Sequence, residues 1–175
     1  MRKWLFALVV ILSFYLDNVF FNMVNLDIGA VIRGARPDIT LCVMVSFGVL
    51  LGPGPAALTG FIMGVIADIF FNKLVGPSPI VYMLAGVAGG FFYRKFYADN
   101  LIIPTVTAVV SFFVKEHILL IVSKRAGARP PYFMTLASYI LPSLILTGGA
   151  CLLIHLFLKH TLYRPLWRNE AIKLD

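Results

Sequence analysis

What most limits how this chain can fold is a series of long apolar runs. Residues 4–24, 79–96, 101–123 and 134–158 are each close to the roughly 20 apolar residues that a helix needs to cross a bilayer. Hydrophobic residues make up 60% of the 175, charged residues only 13%, and the mean hydropathy is +0.91. Soluble domains carry about 25% charged residues. A soluble fold of this size could not hide so much apolar surface. The fold class expected is therefore an all-α integral membrane protein with lipid as its solvent.

That conclusion removes several functional classes. The net charge of +7 could suggest nucleic acid, but the basic residues lie between the apolar runs, as flanks of membrane helices do. Cys42 and Cys151 both fall inside apolar runs and have neither disulfide nor metal spacing; each reads as a small buried hydrophobe. There is no HExxH, GxSxG, Walker loop or CxxC, so the sequence suggests neither an enzyme nor a cofactor. Arg2 and Lys3 followed by an apolar run resemble a signal peptide. The run ends in Asp17-Asn18-Val19-Phe20-Phe21 without a small-x-small cleavage site, and it reads as a retained first helix.

Between the first two long runs lie two less regular ones, 38–51 and 55–71, separated by the turn signal Gly52-Pro53-Gly54. The first covers only about 20 Å at helical rise. It is either a short buried helix or half of a re-entrant hairpin, and both return the chain to the same side. The expectation is six transmembrane helices, the second and third short, in one domain spanning 1–175 whose basic tail, 159–175, is cytoplasmic. With the N-terminus inside, Arg2, Lys3, Arg94, Lys95, Lys159, Arg164, Arg168 and Lys173 are cytoplasmic. Arg33, Arg36, Lys73, Lys124, Arg125 and Arg129 are outside, a bias of eight to six.

Charges inside the runs are the candidate functional residues. In "GFIMGVIADIFF", residues 60–71, Ala56, Gly60, Gly64 and Asp68 continue a step of four. On a helix they form one slowly drifting stripe of small residues, suited to close helix contact in lipid. Asp68 should then point into the bundle; the plainer alternative is that it reaches the headgroups from near a helix end. Asp17, Asp68, Lys115 and Glu116 all lie about 20 Å along outward-running helices, which makes one charged layer. Lys115 is its only cation, so Asp68 or Asp17 is the expected partner. His117 points elsewhere on the helix. The layer reads as a polar knot holding helices in register rather than a proton or substrate path. Gly86 and Gly90, at GxxxG spacing, and Gly148-Gly149-Ala150 are further packing signals, with Gly86 and Gly90 the candidate contact for a partner. Pro104 and Pro142 mark kinks at most, and His155 reads as a hydrogen-bonded or interfacial side chain.

The segment "RPDITLCVMVSFGVLLGPGPAALTGFIMGVIADIF", from Arg36 to Phe70, carries a further pattern. Pro37-Asp38 opens an apolar helix, a Gly/Pro turn follows, and the next helix has Gly60-Phe61, Gly64 and a terminal Asp68. "GPSP" comes after it. This resembles the rod shape-determining MreD family, and the likeness covers the chain in size and layout. The leucine usual after the second glycine is Val65 here. The resemblance implies a bacterial cytoplasmic-membrane protein of the cell-elongation complex, required for rod shape and lateral peptidoglycan synthesis. The implied partners are single-span MreC, the actin-like MreB filament, and the wall synthase formed by RodA and a class B penicillin-binding protein. The chain would act as a scaffold without a cofactor. Six helices with a G-x-x-x-G-x-x-x-D helix also resemble the S components of energy-coupling-factor vitamin transporters, in fold and as an alternative function. The first helix, "FALVVILSFYLDN", lacks their A-x-x-x-A docking motif.

Overall fold

The computed structural model describes residues 3–17, 34–70, 77–92, 100–125 and 132–160. Among the described residues every regular element is helical. We label them α1 (Lys3–Tyr15), α2 (Ile39–Leu51), α3 (Pro53–Phe70), α4 (Pro77–Gly90), α5 (Ile102–Arg125) and α6 (Tyr132–Leu158). Of these, α3, α5 and α6 are long and apolar enough to cross a membrane. The described part of the chain is thus all-helical, with the long apolar helices of a membrane protein.

The boundaries differ from the sequence expectation by a few residues. Asp38 is the N-cap of α2 rather than its first residue, and α3 starts at Pro53 instead of Pro55. Proline suits that first turn, where its missing N–H would have had no helical partner. Gly52 ends α2 with φ of 101°, a conformation that L side chains rarely adopt, and its N–H returns to Gly48 O at 3.0 Å. The rest of the first run beyond Asp17, the end of the fourth run beyond Phe92, most of the loop lysines and arginines, and the tail beyond His160 lie outside the described residues.

The core is built around α2. Its sequence is apolar on every side, the pattern of a helix with no lipid or water face of its own. Every residue from Thr40 to Leu50 is buried, and all five other helices pack on α2. One side sets Leu41, Cys42 and Val45 against Ala67, Tyr82, Ala85, Phe112 and Cys151. The other sets Val43, Met44, Phe47 and Leu50 against Val10, Ala56 and Leu158. The segment 38–51 is a short buried helix within the bundle, which fits both readings of it. The outer surface is the reverse of a soluble protein's. Leu58, Ile69, Ile80, Val110, Ile145 and Leu153 are all at least half exposed. In water this would be an aggregating surface; against lipid tails it carries no such penalty.

Small residues set how closely the helices approach. The stripe Ala56, Gly60, Gly64 and Asp68 is buried, and it faces α4. A β-carbon on Gly64 would lie 2.3 Å from Pro79 Cα, closer than real atoms come. Gly86 and Gly90 are in the same position: added β-carbons would meet Ala56 O at 2.7 Å and Pro53 Cα at 2.5 Å. This corrects the expectation of a partner contact there. The GxxxG face of α4 is used up inside the chain's own bundle, against α3.

Helix α6 carries a π-helical segment at Leu136–Ile140, closed by the Leu141 N–H reaching back five residues to Leu136 O. Pro142 explains it. Proline has no N–H for the carbonyl four residues back, and its ring crowds that carbonyl, so the turn before it widens.

Candidate functional site

A helix that begins inside a membrane bundle has a definite problem. Its first N–H groups lack helical partners, and no water is at hand to satisfy them. At the start of α2 two carboxylates take that role. Asp17, at the end of α1, accepts from Ile39 N at 2.8 Å through Oδ1 and from Thr40 N through Oδ2. Asp38 Oδ1 accepts from Leu41 N at 2.9 Å, and the Asp38 carbonyl takes the Cys42 N–H at 3.2 Å. All four first-turn donors are satisfied. The positive end of the helix dipole favours both carboxylates there.

Two acids at one buried helix end need a cation, and Lys115 of α5 supplies it. Its Nζ is paired with Asp38 Oδ2. Glu116 Oε1 lies 3.7 Å from the same nitrogen. The ammonium also stands 5.6 Å from the ring centroids of Tyr82 and of Phe112, within cation–π range. Helix α6 completes the site. Thr147 Oγ1 accepts from Asp38 N at 3.2 Å and donates to Ser143 O at 2.7 Å, while Ser143 Oγ accepts from Arg36 N at 3.2 Å. The Arg36 side chain bonds to Tyr139, in the π-helical segment that precedes Pro142. One polar cluster therefore joins α1, α2, α5 and α6, with Tyr82 of α4 at its edge.

Asp17, Lys115 and Glu116 lie in one cluster around the start of α2, where Lys115 pairs with neither Asp17 nor Asp68. Its partner is Asp38, whose carboxylate faces α5 because the N-cap geometry of α2 directs one oxygen to the backbone and leaves the other free. Asp68 is fully buried within the chain. It accepts from Ser78 N at 3.3 Å, in the first turn of α4. It is thus a second case of a buried acid serving a helix start. Pro37 is half-buried beside the cluster. Phe61 is 45% exposed on the outer face of α3 and joins no site.

Sequence reasoning named Asp38 as part of a motif but missed its charge partner. It also missed Ser143, Thr147, Tyr82, Tyr139 and Arg36. The i, i+4 spacing of Ser143 and Thr147 within an apolar helix was the one available signal, because it puts two hydroxyls on a single face. His117 points away, between Phe113 O at 2.9 Å and the Tyr132 hydroxyl at 3.0 Å. His155 is fully buried rather than interfacial. Both cysteines are buried free thiols, with Cys42 Sγ donating to Thr147 O at 3.4 Å. Among the described residues no three His, Cys, Asp or Glu side chains are grouped so as to hold a metal ion.

The cluster links four helices through named hydrogen bonds and one ion pair. Asp17 and Asp38 accept from named donors, Glu116 Oε1 lies 3.7 Å from Lys115 Nζ, and the ammonium is held between carboxylates and aromatic faces. Comparison with known proteins adds the functional context. Neither a search of curated proteins nor one of solved structures finds a match, so the likeness to vitamin-transport S components has no support beyond the residues quoted above. The sequence model of one family, described as rod shape-determining protein MreD, matches residues 1–159. That family acts in determining rod shape, in a complex with MreC and MreB. Matched over nearly its whole length, the chain belongs to the MreD family.

Proposed function

We propose that this chain is a multi-pass scaffold of the bacterial cytoplasmic membrane that works by binding. In this reading six helices cross or enter the membrane and both termini are cytoplasmic. The chain holds the membrane helix of an MreC-like protein and links it, with the MreB filament, to the RodA and class B penicillin-binding protein synthase that builds the lateral wall. It carries out no chemistry of its own.

One observation supports a binding role over a transport role. The charged side chains within the bundle are engaged in capping helix starts or pairing with one another, which uses them for architecture. Among the described residues, what remains for interaction is the apolar exterior. Because Gly86 and Gly90 are buried, partner contact belongs on the exposed faces of the helices, where side chains such as Val106 and Val110 of α5 point outward.

Deletion tests the reading. Rod-shaped cells that lose the protein should round or swell, while the purified synthase keeps its polymerising activity in detergent. Cells that keep their rods but lose uptake of a vitamin at low supply would replace the scaffold with the transporter.

A further inference from the structure

The end of α5 and the start of α6 meet in an aromatic and cationic cluster that the polar site does not use. Its base is His117. Nδ1 faces Phe113 O at 2.9 Å, and a carbonyl only accepts, so Nδ1 carries a hydrogen. In the neutral ring Nε2 then accepts from the Tyr132 hydroxyl, 3.0 Å away. That bond fixes the Tyr132 ring, and Lys124 Nζ stands 5.5 Å from the ring's centroid, within cation–π range. An exposed lysine, otherwise free to turn, is thereby held in one place. Arg125 is exposed beside it. Phe133, 82% exposed, stands nearly perpendicular to Tyr132.

We propose that Lys124, Arg125 and Tyr132 form a binding site for the phosphate headgroup of an anionic membrane lipid. Depth, charge and order all favour that ligand. Helices α5 and α6 are both long and apolar enough to cross a bilayer, and the end of a crossing helix lies at headgroup level, where Tyr, Lys and Arg collect. The described acids, Asp17, Asp38, Asp68 and Glu116, are all taken up in serving helix starts or pairing with Lys115. Among the described residues neither Lys124 nor Arg125 has a carboxylate in ion-pair range, so both charges are left for an anion from outside the chain. The half charge at a helix C-terminus is negative and opposes an anion, but two cations outweigh it. Holding the ammonium over the ring removes in advance part of the freedom that a lysine loses on binding. Ile121, three residues before Lys124 and on the same face of α5, is 57% exposed. A headgroup at Lys124 therefore keeps its acyl chains against carbon.

The test uses the full chain reconstituted in vesicles of equal parts phosphatidylglycerol and phosphatidylethanolamine, extracted gently and weighed by native mass spectrometry. The wild type should retain phosphatidylglycerol in preference to phosphatidylethanolamine. Lys124→Gln combined with Arg125→Gln should abolish that preference; both side chains are exposed, so the double variant should melt with the wild type. Tyr132→Leu leaves the net charge unchanged and should weaken the preference about two- to fivefold, the worth of one exposed cation–π contact. Tyr132→Phe keeps the ring but loses the bond to His117, and should fall between the two. A wild type without preference, or a double glutamine variant that keeps it, would overturn the proposal. An unchanged preference in Tyr132→Leu would also overturn it, reducing the patch to the general attraction of basic flanks for an anionic bilayer. Millimolar inorganic phosphate in the extraction buffer should not displace the lipid; displacement would assign the cations to a soluble anion instead.

Discussion

Lys115 reaches from the middle of α5 to the carboxylate that caps α2, Asp38, and so ties the helix at the centre of the bundle to one at its edge. The pair is mostly buried, with Lys115 15% and Asp38 5% exposed. Breaking such a pair from one side leaves the other charge uncompensated and costs about 3–5 kcal/mol. Lys115→Met should therefore lower the yield of folded protein and its melting temperature in detergent. Adding Asp38→Asn should recover part of the loss, because an amide oxygen can still accept from Leu41 N while the unpaired charge is gone. Adding Asp68→Asn should recover nothing. Rescue by Asp68→Asn but not by Asp38→Asn would show that the pairing is wrong.

How much of this was legible in the sequence depends on the residue. The stripe from Ala56 to Asp68 was readable because a step of four has only one meaning on a helix, and the acid at its end had to face inward or cost too much. Lys115 was readable as a buried cation for the same reason. Its partner was not. Counting residues along the three helices expected to run outward places Asp17, Asp68 and Lys115 at one depth, but it leaves out α2, whose N-cap residue Asp38 is the one that meets Lys115. Gly86 and Gly90 show the complementary limit. A GxxxG step says that some helix packs closely on that face, and nothing in the spacing says whether that helix belongs to the same chain.

Asp17 holds the end of α1 to the start of α2 through two backbone donors, so its loss should be local. Asp17→Ala should expose the amides of Ile39 and Thr40, and their hydrogen exchange should rise well above that of Val43 and Met44 on the same helix. Loss of an N-cap costs about 0.5–2 kcal/mol. Asp17→Asn, which keeps one acceptor oxygen, should fall between the wild type and the alanine variant. Uniform exchange along α2 in Asp17→Ala would mean that the carboxylate does not cap this helix.

The α3–α4 contact gives a contrast between two glycines of the same helix. Gly64→Ala puts a methyl group into the Pro79 backbone, while Gly54→Ala meets nothing within 4 Å. Overpacking of a tight contact costs about 1–3 kcal/mol, and a surface change away from such features stays within about 0.5 kcal/mol. Gly64→Ala should therefore melt lower than the wild type in detergent, and Gly54→Ala should melt with it. Equal melting of the two variants would mean that the helices do not approach as closely as Gly64 and Pro79 imply.

Gly86 carries the same logic into the question of partners. A β-carbon there would lie 2.7 Å from Ala56 O, so Gly86→Leu should cost the fold itself: little protein should survive extraction, and what does should melt early. Val110→Trp sits on an exposed face of α5 and should leave both yield and melting near the wild type. If α5 carries the contact with an MreC-like helix, Val110→Trp should reduce co-purification of that partner and round the cells at normal protein levels. A Gly86→Leu variant that is stable in detergent yet loses the partner would reverse this assignment, returning the GxxxG face of α4 to the interface and requiring α3 to stand away from it in the membrane.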